Sequence, residues 1–386
     1  MYEAEIEIPD WIEEMKKQDR PGFYEPVDGG RNVYLPTTQQ TTVVSSPGDE
    51  VLLRTYRSAD KNILWGNDSA SLLDIGDDVA LLEFQSKANT LGAEVISAIQ
   101  ESVSRVEGDR NLRGMVIGND GINFSVGANL GELAVTLAEG NLTAVENAVH
   151  EFQNAIQRVR YASKPVVIAV HQRALGGACE LIMAAPYSVA AAESYIGLVE
   201  LGVGLIPAGT GSTRIAEVAS KAAPNGHNNE IMAVLARYFE QVAMAKVSSS
   251  AHEAREMGFL TENTTIAMRA ERRFDLAKRE VLRLALAGYL PPVRGQEFTV
   301  LGAPGGAALE VMAYQFHQGR FISDYDFLLA TKLAQAFTGG DLPGSTQVNE
   351  EYMLNLERKI FMSLLTEQNT QDRIRHILEH NKPLRN

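Results

Sequence analysis

One cysteine, two tryptophans and no long apolar run distinguish this 386-residue chain by what it lacks. The single thiol, Cys179, excludes an intrachain disulfide and any cysteine-rich zinc site, and makes a reducing cytoplasm the expected location. No uninterrupted apolar stretch nears the length of a membrane span, and the acidic start MYEAEIEIPDW lacks the features of a signal peptide. Basic residues are in the minority: 35 Lys and Arg stand against 49 Asp and Glu, a net charge of −14. That balance argues against a nucleic-acid or anionic-membrane surface, while a phosphate-bearing small ligand needs only a local cluster of donors. The dinucleotide fingerprint Gly-x-Gly-x-x-Gly is missing, Gly202 and Gly204 forming only its first half, and no P-loop is present. Among the histidines, His376 and His380 have zincin spacing, but HILEH lacks the adjacent glutamate, so a solvated helix is expected there and no metal site.

What remains is an ordinary globular composition, 45 % hydrophobic and 22 % charged, long enough for a substantial core. Three regions separate. Residues 1–75 hold an acidic helix candidate around Trp11, then Pro-, Gly- and Thr-rich stretches that read as an appendage. From Ile75 the rhythm changes: VALLEF (79–84), GMVIG (114–118) and PVVIAV (165–170) read as strands. Between them Leu91, Val95, Ile99, Val103 and Val106 share one helical face, as do Val145, Val149, Phe152, Ile156 and Val159. LGGACELIMAA is a turn opening into a helix. Alternating strands and helices predict an α/β fold with crossover connections over residues 76–275. Residues 276–386 read as mostly helical.

The most informative block runs KPVVIAVHQRALGGACELIMAAPYSVAAAESYIGLVELGVGLIPAGTG. It couples glycine-bearing turns, whose backbone N–H groups are free to hold a negative oxygen, with two glutamates, Glu180 and Glu200, twenty positions apart. Each glutamate is flanked by apolar residues, and a charge in such a setting is seldom buried without a partner or a purpose. Cys179, between small residues and beside Glu180, reads as a packed side chain, since a negative neighbour raises a thiol's pKa.

This block, with LRGMVIGNDGINFSVGANLGEL before it and KVSSSAHEAREMGFLTE after it, resembles the crotonase family of enoyl-CoA hydratases and isomerases. Taken with FYEPVDGGRNVYLP and the terminal KPLRN, the chain resembles the C-terminal hydratase part of bacterial two-function 3-hydroxyacyl-CoA dehydrogenase/enoyl-CoA hydratase proteins. Residues 1–75 would then be a remnant of the dehydrogenase linker region. The resemblance implies a ClpP-like superhelical core of repeated β-β-α units with a helical C-terminal region. It also implies reversible hydration of 2-trans-enoyl-CoA to 3-hydroxyacyl-CoA, as in fatty acid β-oxidation. Alternatives of the same lineage are a double-bond isomerase and a non-catalytic acyl-CoA-binding or docking domain. By the same resemblance, the backbone N–H groups of Ala128 and Gly177 form an oxyanion hole. Glu180 deprotonates the attacking water, and Glu200 delivers the proton to C2. Lys87 and Ala88, in FQSKANTL, contact the CoA moiety. No cofactor is implied, the CoA thioester being the substrate, and the expected partners are further copies of the chain, as a trimer or hexamer, and a 3-hydroxyacyl-CoA dehydrogenase. Four positions depart from the family pattern. The third glycine of Gly-Gly-Gly is Ala178, the aspartate of Gly-Ala-Asp is Asn129, an acidic position six after Glu180 is Pro186, and Pro-Gly-Ala-Gly-Gly reads PAGTG (207–211). Pro186 is expected to end its helix early, and substrate choice is where these changes bear.

Overall fold

A strand that is apolar at every position must be covered on both faces, and that requirement organises the molecule. The computed structural model describes residues 8–20, 22–27, 30–45, 50–223 and 227–386. The chain first forms helix α1 (Asp10–Lys17), a three-stranded antiparallel sheet of β1 (Tyr24–Val27), β2 (Gly30–Leu35) and β3 (Gln40–Ser45), and the short helix α2 (Leu53–Arg57). The main sheet consists of β4 (Ile63–Asn67), β5 (Ala70–Asp74), β6 (Val79–Phe84), β7 (Gly114–Gly118), β8 (Val166–Leu175), β9 (Tyr187–Gly197) and β10 (Thr264–Ala267). Their spatial order is β10-β9-β8-β7-β6-β5-β4. β6 to β10 pair in parallel, as the alternation of strands and helices predicts, and β4 and β5 extend the sheet as an antiparallel hairpin.

That hairpin lies upstream of residue 76, within the stretch expected to be an appendage. Its turn is closed by Asn67, whose side-chain oxygen accepts from the Ser69 and Ala70 amides at 3.0 and 2.9 Å. Leu72 and Leu73 then enter opposite faces of the sheet. The sheet therefore begins at Ile63.

Successive residues of β6 point to opposite sides, so Val79 and Leu81 join one apolar cluster and Ala80 and Leu82 the other. The first face is closed by α10 (Arg273–Leu286), whose Phe274, Ala277 and Val281 are buried there. The second is closed by α3 (Ala93–Gly108), α4 (Leu130–Ala138), α5 (Leu142–Arg160), α6 (Gly177–Ala184), α7 (Gly211–Lys221), α8 (Asn228–Ala243) and α9 (Ala251–Met257). The expected boundary at residue 275 falls inside α10, because without that helix one face of the sheet would be bare.

Beyond α10 come β11 (Phe298–Val300), α11 (Gly302–Gln318), α12 (Asp324–Thr338), β12 (Thr346–Val348), α13 (Glu350–Leu365) and α14 (Gln368–His380). These helices fold back onto the same chain: α13 packs on α5 and α7, and α14 on α4 and the turn at Glu200–Val203. Among the described residues no helix is long and apolar enough to cross a membrane.

Arg373 of α14 fixes this docking. Its side chain is 1 % exposed, pairs with Asp326 at 2.8 Å and donates to the Leu201 carbonyl at 2.9 Å. Arg373→Ala strands Asp326 and leaves the Leu201 carbonyl with only the Gly204 amide as donor. It is expected to cost about 3–5 kcal/mol, the range for breaking a buried pair from one side. Denaturant unfolding followed by circular dichroism measures it; an unfolding midpoint equal to wild type would show that the contact does not hold α14 in place.

Candidate active site

β8 leaves the sheet at Leu175 and the chain turns sharply into α6. Gly176 makes the turn with φ 55° and ψ −125°, a conformation open to glycine and strained for other residues. Gly177 is then the first residue of α6, where N–H groups have no intrahelical acceptor and the helix dipole is positive. The end of β8 is flanked by the segment carrying Ala128. Ser125 donates to the Arg173 carbonyl and accepts from the Leu175 amide, each at 3.1 Å. A β-carbon at Gly127 would stand 3.4 Å from the Gly177 nitrogen, so the two turns are in direct contact. Leu91 donates to the Gly127 carbonyl at 2.8 Å. Among the described residues no peptide bond is cis, so the Ala128 N–H, across that same peptide unit, points away from Leu91. Gly177 is buried and Ala128 exposed.

Lys87 and Ala88 lie exposed on a 3-10 turn at Lys87–Asn89. Ala88 adopts φ 55°, and the next residue, Asn89, donates to the Asn119 side chain at 2.8 Å and the Asn123 carbonyl at 2.9 Å. The turn is thus tied to the segment that leads into Ala128.

Glu180 stands on the first turn of α6, 3 % exposed. Its Oε1 accepts from the Gly209 and Gly211 amides, both at 2.8 Å. Burial pushes its pKa up to about 7, and the hydrogen bonds from Gly211, Gly209 and Thr210 pull against that rise. Glu200 opens the 3-10 turn Glu200–Val203, with its Oε1 3.4 Å from the point where a β-carbon on Gly176 would sit. Although the residue is half-buried as a whole, both carboxyl oxygens are sealed from solvent and lack a hydrogen-bond partner among the described residues. Burial first, and the Glu180 charge second, raise Glu200 well above the usual carboxylate range. One carboxylate is therefore solvated by backbone amides and its neighbour is bare, an arrangement that separates their affinities for a proton.

The Phe152 ring of α5 forms the wall here. A β-carbon on Gly177 would lie 2.6 Å from its Cζ, and one on Gly209 would overlap it as well. Glycine at both positions is what lets α5 approach Glu180. Cys179 is fully buried, and burial, then Glu200 and Glu180, raise its thiol well above the ordinary range. Of the departures, Asn129 caps α4 by accepting from the Gly131 and Glu132 amides, Ala178 is buried, and α6 ends at Ala184, two residues before Pro186.

A third buried carboxyl went unread in the sequence. Glu357 on α13 is fully buried, and its oxygens accept from the Thr213 amide and hydroxyl, each at 2.9 Å, and from Gln153 Nε2 at 3.2 Å. Burial and then the Glu180 charge push its pKa up to about 8. The signal was periodic: Met353, Glu357, Ile360 and Leu364 share one helical face, and all four are buried.

Residues 74–262 match the family model described as enoyl-CoA hydratase/isomerase. A Bacillus subtilis protein named "Probable 3-hydroxyacyl-CoA dehydrogenase" is 39 % identical over 380 residues, which is 98 % of this chain and 47 % of the relative. A second B. subtilis protein, "Probable enoyl-CoA hydratase", is 32 % identical over 148 residues, 38 % of this chain and 56 % of its own length. The chain thus spans about half the length of these relatives. A solved enoyl-CoA hydratase from Bacillus halodurans shares the fold, with a TM-score of 0.52 at 14 % identity, covering 80 % of this chain and 99 % of that one. The α/β core built around Gly177, Glu180 and Glu200 is a domain of the enoyl-CoA hydratase/isomerase, or crotonase, family.

Proposed function

We propose that the chain hydrates 2-trans-enoyl-CoA reversibly, giving 3-hydroxyacyl-CoA. The observation that carries this reading is the pair of sealed carboxyls in unequal surroundings beside a helix N-terminus. In this reading the Gly177 and Ala128 amides bind the thioester oxygen as it gains negative charge, each donor contributing about 3 kcal/mol in the transition state. Glu180, hydrogen-bonded and the more readily ionised, takes a proton from water as its oxygen adds to C3. Glu200, bare and retaining its proton, protonates C2. The addition is redox-neutral and, as written, uses only groups of this chain and the substrate. In the same reading Lys87 and Ala88, exposed on the turn joined to the Ala128 segment, contact the CoA moiety. The product carries a secondary hydroxyl, and a 3-hydroxyacyl-CoA dehydrogenase is the partner we propose to consume it. The name of the B. subtilis relative, which is about twice as long as this chain, supports that pairing.

Loss of the conjugated-thioester absorbance of crotonyl-CoA reports the reaction. Glu180→Gln and Glu200→Gln are each expected to lower kcat by about 10²–10⁴-fold, the weight of one general acid or base. Isomerisation of a 3-enoyl-CoA without hydration would favour the isomerase alternative; tight ester binding with neither reaction would leave a binding domain.

The pH dependence follows from the same two groups. Glu180 must be ionised and Glu200 protonated, so kcat/KM is expected to be bell-shaped. Its acid limb should lie near pH 7, where Glu180 titrates, and both limbs report macroscopic values of the pair. A flat profile from pH 5 to 9 would contradict the assignment.

Stability carries an opposite signature. Glu180 and Glu357 have folded-state pKa values of about 7 and about 8, raised from 4.5. The folded state therefore binds more protons than the unfolded one across this window, and the contribution is full below pH 4.5 and lost as pH rises through 7 and 8. Glu180→Gln removes one such group, so its Tm should gain on wild type progressively between pH 5 and 8. A difference independent of pH would show that Glu180 titrates normally.

A further inference from the structure

The C-terminal helix α13 reaches the active site through one residue that the proposed chemistry leaves unassigned. Glu357 grips a loop that also holds Glu180. On one side of the loop, its Oε2 accepts both the Thr213 amide and hydroxyl. On the other side, Gln153 Nε2 donates to Glu357 Oε1 at 3.2 Å and to the Ala208 carbonyl at 2.9 Å. Between Ala208 and Thr213 lie Gly209 and Gly211, whose amides donate to Glu180 Oε1. We propose that Glu357 is a positioning residue for the reaction assigned to this site: it holds the 208–213 loop directly at Thr213 and, through Gln153, at Ala208, and thereby sets where the two amides hold the Glu180 carboxylate. The inference rests on the hydratase reading for its catalytic consequence and on contacts within this chain for its mechanism.

The surroundings of Glu357 fit that role. From α6 it faces Glu180, and from α7 Thr213 and the Arg214 guanidinium, which pairs with Glu217 and Glu350. From α5 it meets Gln153, whose oxygen accepts from Arg358 at 2.6 Å, a guanidinium that also bonds His150. Among the described residues α12 and α14 give it no hydrogen bond or ion pair. A group that served only to fill the core would be apolar here, since a buried carboxyl costs stability unless something else depends on it. The negative charge of Glu357, when present, also disfavours ionisation of Glu180, whose own neighbours are Glu200 and Cys179.

The test uses the full chain with Glu357→Gln and Glu357→Ala. Glu357→Ala frees the Thr213 end of the loop and takes from Gln153, which holds the Ala208 end, one of its acceptors; it is expected to lower kcat for crotonyl-CoA by about 10–100-fold with KM changed less than about 3-fold, as for a misplaced catalytic group. Glu357→Gln keeps an oxygen for Thr213 and should recover most of kcat at its own optimum. Glu357 titrates at about 8 and is mostly protonated where Glu180 titrates, so Glu357→Gln should leave the Glu180 midpoint near 7, whereas Glu357→Ala, which loosens the amides that stabilise the Glu180 charge, should raise it. Carboxyl-¹³C NMR of glutamate-labelled protein reads that midpoint without any turnover, the Glu180 signal being assigned by its absence in Glu180→Gln. An unmoved Glu180 midpoint in folded Glu357→Ala, or full kcat in Glu357→Ala, overturns the proposal. A wild-type protein that does not hydrate crotonyl-CoA sinks the hydratase reading alone, since the NMR titration still decides whether Glu357 governs Glu180.

Discussion

A carboxylate removed from water and held by two amide hydrogens is the constraint on which this molecule depends. Desolvating Glu180 disfavours its charge, and the amides of Gly209 and Gly211 at 2.8 Å restore part of what water supplied. That compensation exists only while the 208–213 loop keeps its shape. The loop opens α7 and carries little apolar surface of its own to pin it. Its position is therefore set from outside, by Phe152 against Gly209, by Gln153 on the Ala208 carbonyl and by Glu357 on Thr213. Glu200 depends on a similar support: Arg373 bonds the Leu201 carbonyl and Thr370 bonds that of Gly204, at 2.9 and 2.6 Å. The loop that hydrogen-bonds Glu180 and the turn that carries Glu200 are thus both fastened by helices from the far end of the chain.

The difference between the two carboxyls follows from where each lies. Glu180 is on a helix that starts at a strand end, opposite a loop rich in glycine, so backbone donors reach it. Glu200 is on a 3-10 turn that presses its side chain against Gly176, and no donor reaches its oxygens among the described residues. Equal side chains acquire unequal proton affinities because backbone amides reach one of them. The donor turns at Ala128 and Gly177 obey a comparable economy. Pairing of the Ser125 segment with the end of β8 brings them together, and the Gly127 carbonyl's bond to Leu91 directs the Ala128 N–H the other way.

Sequence legibility tracked the range of the interactions involved. The central strands were readable because both their faces are apolar, and α3 and α5 because their apolar residues recur at helical spacing. The turn at Gly176 and Gly177 was readable from two adjacent glycines between a strand and a helix. The β4–β5 hairpin was missed because its turn, Asn67-Asp68-Ser69, joins short runs within a polar stretch, and the Asn67 hydrogen bonds that close it are a tertiary detail. Glu357 was missed for a different reason. A glutamate in MLNLERKIFMSLL reads as a solvated position, and only the burial of the Met353, Ile360 and Leu364 face shows that it points inward. Its partners Gln153 and Thr213 are 204 and 144 residues away, beyond the reach of any local pattern.

The family match ends at residue 262, yet the 39 % identical relative aligns over 98 % of the chain. The structure gives a physical reason for the longer match. A sheet buried on both faces needs α10, which lies wholly beyond residue 262, and the site needs α13 and α14 to fix the loops under Glu180 and Glu200. The region after residue 276 buries one apolar face within its own chain: Leu329, Leu333, Phe337, Leu364 and Ile374 belong to the same cluster as Ala178 and Leu181 of α6. A single apolar cluster that runs from α6 to α14 cannot be divided without exposing it. Core and C-terminal helices therefore share one apolar cluster, and the far end of the chain fastens the segments around the two acidic groups.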